Sequence, residues 1–395
     1  MLGVAEARYT CDVVARRGDL DPGGLAFSNR FEEPLGVNAA GTVAFVARAG
    51  IAKQTIYRYP NGGPNSVVAR VGDPAPGGSA FGRFVAGSRG SVSINTAGNI
   101  GFYADVTLPG NGVFVDVGGT LEKAAQKTDP TPNGGFFLTI PSVSNLNDAN
   151  EIAFVATVNV APNGVFLYDA DTNALTTVAD TSDTDTAARA FCTFGQVGLS
   201  NAGLAFTAEV ANPNCATTLQ GVFVQVLGTF VPVAVAGDPA PIGGTTYLSF
   251  SRAPEVGAAA VTFAARVTGA TYTGDGIFSS AGPSKVVASG DSAPEVGGGI
   301  KKLGDQHRQD GNGDVIARLF LRQSTSREGI FRYDATPEAV LAKIDAPPAP
   351  FGPGSKYSKI GPPAAAGTGT TVAFNAKMKD TIKPGSKAGV LRCVP

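Results

Sequence analysis

Tryptophan is absent from this 395-residue chain, histidine occurs once, methionine twice and cysteine four times. With His307 alone, no multi-histidine zinc site can be built. A Ser-His-Asp triad would have to use His307-Arg308-Gln309-Asp310, and no Gly-x-Ser-x-Gly elbow accompanies that stretch. The lack of tryptophan, with aromatic residues at 8%, argues against an open sugar cleft built on stacked ring platforms. Charge is sparse as well, at 16% of residues against roughly 25% in an ordinary soluble domain. Lys plus Arg (31) balance Asp plus Glu (32), so no positive excess draws the chain to nucleic acid, which is not expected as a partner. Long apolar runs are missing: a stretch such as Val231 to Ala236 falls far short of the ~20 residues that cross a bilayer, so no membrane span is expected. The opening MLGVAEARYT shows no basic segment followed by an apolar one, so no signal peptide is visible; because Met1 runs almost directly into repeat material, a trimmed N-terminus is expected.

What the chain has in quantity is turn residues, with 52 glycines and 27 prolines, and these punctuate a repeat. Its centre is Asn-x-x-Gly-x-x-Ala-Phe, clearest at Asn38 to Phe45 and Asn95 to Phe102, with Gly41 and Gly98 at the turn. Looser copies are Asn147 to Phe154, Asn201 to Phe206, Val256 to Phe263, Asp310 to Ala317 and Gly367 to Phe374. A second marker follows each, as in Gly112-Val113-Phe114 or Gly389-Val390-Leu391. A third is the Gly-Asp-Pro-Ala-Pro turn after Val67-Val68-Ala69. Short apolar runs bounded by Gly, Pro and Asn read as strands, and no helical stripe competes with them.

Seven units of four short strands imply an all-β, seven-bladed β-propeller filling 1–395 as a single domain. The approximate blades are 34–70, 91–126, 143–179, 197–235, 254–289, 312–343 and 357–394 plus 11–16. The strands of the first are read as Pro34 to Val37, Thr42 to Arg48, Thr55 to Tyr59 and Ser66 to Arg70. The seam follows from the chain ends: Cys11 to Asp19 matches a fourth strand and its turn, whereas Gly389 to Pro395 matches a third strand. Pairing the two completes the seventh blade and removes an exposed edge. Mapped onto the second unit, Cys393 and Cys11 fall at Asp116 and Leu121, opposite one another across a hairpin, which predicts a Cys11–Cys393 disulfide. Cys192 and Cys215 share one unit and form a second candidate bridge. Such bridges point to an oxidising compartment, secreted, periplasmic or at the cell surface.

The repeat motif, followed by Gly-Val-Phe and Gly-Asp-Pro-Ala-Pro, resembles a bacterial family of exported proteins with tandem NxxGxxAF repeats. The likeness runs from about Cys11 to Pro395 and decays in the last four units. It implies an exported or surface protein; no sorting tail follows Cys393, so it gives no support to an anchoring role.

Candidate sites divide between structure and chemistry. Asn38, Asn95 and Asn147 are read as turn residues, and Phe45, Phe102, Phe154, Phe206, Phe263 and Phe374 as fillers of the layers between blades. Asp73, Asp238 and Asp291, with Asp19, Asp129, Asp180 and Asp345 near equivalent positions, would either accept backbone N–H groups in their own turns or form a weak cation-binding or polar-ligand ring. Asp310, Asn312 and Asp314 alternate like the start of an EF-hand loop, a possible calcium site, but Val315 and Leu321 stand where that loop needs Gly and Glu. A polar turn is the competing reading. No other cofactor and no catalytic residue is assigned. Glu32, Glu33, Glu151, Glu209 and Glu255 could supply paired carboxylates, and none has a distinguishing context. The expectation is a monomeric, non-enzymatic scaffold or recognition module binding a protein or glycan. Its variable loops are Arg48 to Thr55, Thr181 to Phe191, Ala211 to Gln220, Arg266 to Asp275, Gln306 to Asp314 and Met378 to Ala388. A carbohydrate-active hydrolase or lyase is the alternative.

Overall fold

The computed structural model describes residues 9–33, 35–50, 53–84, 92–160, 162–211, 215–322, 327–334, 337–342, 355–367, 369–380 and 386–395. The chain is an all-β, seven-bladed β-propeller: seven antiparallel sheets follow in chain order, each with four strand positions. They span 27–70, 81–126, 137–180, 190–235, 245–288, 299–342 and 355–394, the last taking Thr10–Arg16 as its fourth strand. Contacts divide the chain into two compact units, residues 1–67 with 287–395, and residues 68–286. No helix among the described residues is long and apolar enough to cross a membrane.

Every blade begins earlier than the repeat spacing suggests. The first strand of the third blade starts at Phe137, not 143, and that of the sixth at Gly299, not 312. In the first blade the Pro34 to Val37 strand shrinks to Gly36–Val37, preceded by a separate strand, Phe27–Phe31. The cause is irregular pairing. Between Phe137 and Leu146 the register against Glu151–Val158 shifts three times, so the alternation that marks a strand in sequence is broken.

In five blades the missed stretch brings a ring. Phe27, Phe81, Phe137, Phe191 and Tyr247 sit at the head of the first strand and meet the third-strand aromatic edge-on at centroid distances of 5.0–5.2 Å. That third-strand ring stacks in turn on the second-strand Phe, as Phe166 does on Phe154 at 5.7 Å. Phe45, Phe102, Phe154, Phe206, Phe263 and Phe374 are all buried. Phe154 and Phe137 pack with Val113, Val115 and Ala125 of the preceding sheet, the interblade layer expected of them. Edge-to-face contact suits the ring quadrupole, and each buried ring contributes about 1.5–3 kcal/mol by area alone. In the sixth blade the set decays to Ile300, Ala317 and Phe331.

The seam closes as the chain ends require. Thr10–Arg16 pairs antiparallel with Ser386–Val394 in the register Cys11↔Cys393 and Val13↔Leu391, matching Asp116↔Leu121 in the second blade. Cys11 and Cys393 are disulfide-bonded. The register slips between Val13 and Ala15, and a Cβ on Gly389 would come within 2.7 Å of the Ala15 carbonyl oxygen. The same slip beside Gly112, where a Cβ would lie 2.9 Å from the Ala125 oxygen, shows why Gly opens the Gly-Val-Phe marker.

Candidate functional site

The turns built by the repeat motif are structural. Asn38, Asn95 and Asn147 each accept, through Oδ1, the backbone N–H four residues ahead, at 2.8–2.9 Å. Gly41 and Gly98 take the positive φ (78° and 88°) that the turn demands. In residues 68–286 these turns also bond to one another. Asn95 Nδ2 donates to the Asn147 carbonyl oxygen at 3.0 Å, Thr96 donates twice to Asp148, and Asp148 and Asn201 exchange two further bonds.

The recurring aspartates are structural in the same sense. Asp73, Asp238 and Asp291 accept, through Oδ2, the N–H three residues back, from Arg70, Val235 and Ala288, at 2.8–2.9 Å. Asp19 and Asp129 do likewise with Arg16 and Gln126. In the fourth such turn the acceptor is Asp183, which takes the N–H of Asp180, so Asp180 is not the equivalent residue. Asp345 lies outside the described residues. Each of these carboxylates is thus turned, through Oδ2, onto the backbone of its own turn, the first of the two readings that the sequence allows.

At the calcium-like segment the geometry favours a guanidinium over a metal ion. Asp310 Oδ1 accepts the N–H groups of Asn312 and Asp314 at 3.0 Å, as the turn Asn does elsewhere. Arg332 bonds to Asp314, approaches Asp310 Oδ2 at 3.5 Å and Glu338 at 3.8 Å, and donates to the Tyr9 hydroxyl at 3.2 Å. Arg332 supplies the positive charge that these carboxylates face, and no group of three or more potential metal-ligating side chains occurs among the described residues. Burial pushes the Asp310 carboxyl above its ordinary range, against the pull of the neighbouring N–H group and Arg332. His307 is buried opposite Ala317.

The variable loops gather at one edge of each sheet. In each sheet the start of the first strand, the end of the second and the start of the third share one edge, here the loop edge. The Asn turns lie at the other. Five of the six variable loops fall on the loop edge; Gln306 to Asp314 alone is at the turn edge. Of Met378 to Ala388, residues 381–385 are outside the described residues, as are 51–52 of Arg48 to Thr55 and 212–214 of Ala211 to Gln220. Exposed apolar side chains share the bias. Of the eleven large ones among the described residues, Leu20 and Leu25 in one unit, and Leu108, Phe136, Leu138, Val160 and Leu219 in the other, stand at this edge. Leu108 is 70% and Val160 82% exposed.

Within the 68–286 unit a cavity of about 200 Å³ opens beside this edge, where the fourth blade's first two strands meet the end of Thr245–Phe250. The bulged first strand, Ala190–Ser200, makes the room, its register slipping between Phe191 and Thr193 and again between Phe194 and Val197. Gly195 lets the strands approach, since a Cβ there would stand 2.5 Å from Thr207 Oγ1. Glu209 is the one charged side chain in the lining. The neighbouring loop is pinned twice: Cys215 is disulfide-bonded to Cys192, and Thr218 donates to Glu209 Oε2 at 3.2 Å. Three of the other candidate glutamates have structural partners: Glu32 meets Arg48 and Gln54, Glu33 meets Lys359, and Glu151 accepts from Asn147.

Solved structures of similar fold include the β-propeller domain of the trilobed protease from Pyrococcus furiosus, at TM-score 0.51 and 9% identity over 89% of this chain and 93% of that one. That domain is described as an open velcro, whereas the terminal strands here are hydrogen-bonded. An oligogalacturonate lyase in complex with manganese has TM-score 0.49 and 8% identity over 99% of both chains. A prolyl endopeptidase has TM-score 0.48 and 13% identity over 93% of this chain, which spans about half (50%) of its length. At such identities the likeness shows the fold alone. A search of curated proteins finds no match. Residues 3–341 match a family of unknown function, DUF7453, and the chain belongs to it.

Proposed function

We propose that this DUF7453 member is a recognition module, exported from a bacterial cell, which binds a glycan-bearing target through the loop edge of its blades. The observation that carries the reading is the coincidence, at the loop edges of the sheets within residues 68–286, of the variable loops Thr181 to Phe191, Ala211 to Gln220 and Arg266 to Asp275, the exposed Leu108, Phe136, Leu138, Val160 and Leu219, and a polar cavity. Rigid strands hold the edge in place while loop composition varies, the usual division between scaffold and binding surface. Two disulfides, with no free cysteine among the described residues, support an oxidising compartment.

A hydrolase or lyase acting on a sugar would need two carboxylates about 5–9 Å apart. The described lining of the cavity supplies Glu209 alone, which suits binding.

The test is binding of the intact chain to a glycan array and to envelope polysaccharide, with a Leu108→Ser, Phe136→Ser, Val160→Ser variant beside it. Binding by the wild type that weakens at least ten-fold in the variant, at an unchanged melting midpoint, supports the reading. Equal binding by both overturns the loop-edge assignment, and turnover of a bound glycan would replace recognition with catalysis.

A further inference from the structure

The cavity in the fourth blade has a polarity that specifies its ligand more narrowly than "glycan"; the inference deepens the loop-edge reading and rests on it. Two glutamine amides line the cavity, and both have their carbonyl ends occupied by the protein. Ser142 Oγ donates to Gln196 Oε1 at 3.2 Å, and the Phe250 N–H donates to Gln220 Oε1 at 3.2 Å. Ser142 is itself held, accepting the Val197 N–H at 3.3 Å. These bonds orient both amides so that their NH₂ groups are presented as donors. Glu209 presents the complementary acceptor: Thr218 holds Oε2 and leaves Oε1 as the carboxylate's other oxygen. Thr193 and Ser251 add exposed hydroxyls, which donate or accept as required.

Paired donors beside an acceptor are what vicinal hydroxyls satisfy, because each sugar hydroxyl both donates and accepts. Size sets a second limit. About 200 Å³ is some seven water volumes at ~30 Å³ each. It is below the ~300–1,000 Å³ of pockets for drug-sized ligands. One ring fits. Charge sets a third, since a lone carboxylate attracts an ammonium and repels a second carboxylate.

We infer that the cavity bounded by Gln196, Glu209 and Gln220 binds a single neutral or amino-substituted sugar residue and excludes uronic acids. A single residue bound through such contacts would have a Kd on the order of 1 mM.

The experiment is saturation-transfer NMR with calorimetry on the intact chain, using glucosamine, methyl β-galactoside and galacturonate as probes. Expected is binding in the order glucosamine, methyl galactoside, galacturonate, the last undetectable. Glu209→Gln should weaken glucosamine at least ten-fold and methyl galactoside much less, because the amide oxygen still accepts from Thr218 while the charge is gone. Gln220→Leu should weaken both, and the melting midpoint of each variant checks its fold. Galacturonate binding as well as the neutral sugar, no sugar binding at all, or indifference of glucosamine to Glu209→Gln would each overturn the assignment. Those results leave the loop-edge reading standing if the triple variant of Leu108, Phe136 and Val160 still loses its glycan, so the two failures are distinguishable.

Discussion

Asp148 and Asn201, 53 residues apart, bond to each other twice: the Asn201 amide donates to Asp148 Oδ2 at 2.7 Å, and the Asp148 N–H donates to Asn201 Oδ1 at 2.7 Å. Burial alone would raise the Asp148 carboxyl, but bonds from Thr96 and Asn201 hold it below its ordinary value. A carboxyl lowered in the folded state stabilises the fold above its unfolded pKa of about 4, and that stabilisation is lost as pH falls through the lowered value. Asp148→Asn should therefore cost about 1 kcal/mol at pH 7, a figure reduced by its exposure. The gap from wild type should close below about pH 4 in urea unfolding. A gap that widens on acidification would contradict this assignment.

The bond between Cys11 and Cys393 ties a loop of 382 residues, for which chain entropy allows about 5–6 kcal/mol and measured losses run about 2–5. Replacing both with Ser should lower unfolding stability within that range and make Thr10–Arg16 the first segment to exchange its amide protons. Loss of Cys192–Cys215, whose sequence separation is only 23, should cost less.

Phe137 is fully buried against Phe154 and Phe166. Phe137→Ala should destabilise by about 3–5 kcal/mol, as for other buried aromatic residues. Removal of exposed Phe136 next to it should leave the melting midpoint nearly unchanged, which thermal unfolding checks.

Arg332 faces Asp310, Asp314 and Glu338. Arg332→Met leaves these carboxylates without their partner and should cost about 3–5 kcal/mol. Calcium at millimolar concentration should leave the wild-type melting midpoint where it was; a rise of several degrees would restore the metal reading of Asp310, Asn312 and Asp314.

The repeat and the seam were legible because they are written locally. A Gly needed under a slipped carbonyl, an Asn that must cap its own turn and a spare strand at each end all leave fixed residues at fixed places. The heads of the first strands were obscured by bulges, yet a signal existed: an aromatic residue lies eight residues past the turn Asp, as in Asp19 to Phe27, Asp73 to Phe81 and Asp129 to Phe137. The same offset marks Asp183, eight residues before Phe191, and not Asp180 as the turn residue of the fourth unit. Arg332 stands next to Gly329-Ile330-Phe331, where the second unit has Val115, and an arginine in that position hinted that Asp314 had a protein partner. The role of Glu209 had no such mark. Its cavity depends on a bulge between Phe191 and Val197 and on the end of another strand at Phe250, a juxtaposition that periodicity does not encode.

Hydrogen exchange of the intact chain, free and saturated with the glycan selected by the array, tests the functional account most directly. The account predicts slowed exchange in peptides covering 104–112, 191–196 and 215–220, all at the loop edge or its cavity, with the turns at 96–99 and 148–150 unaffected. Protection confined to those turns would contradict it.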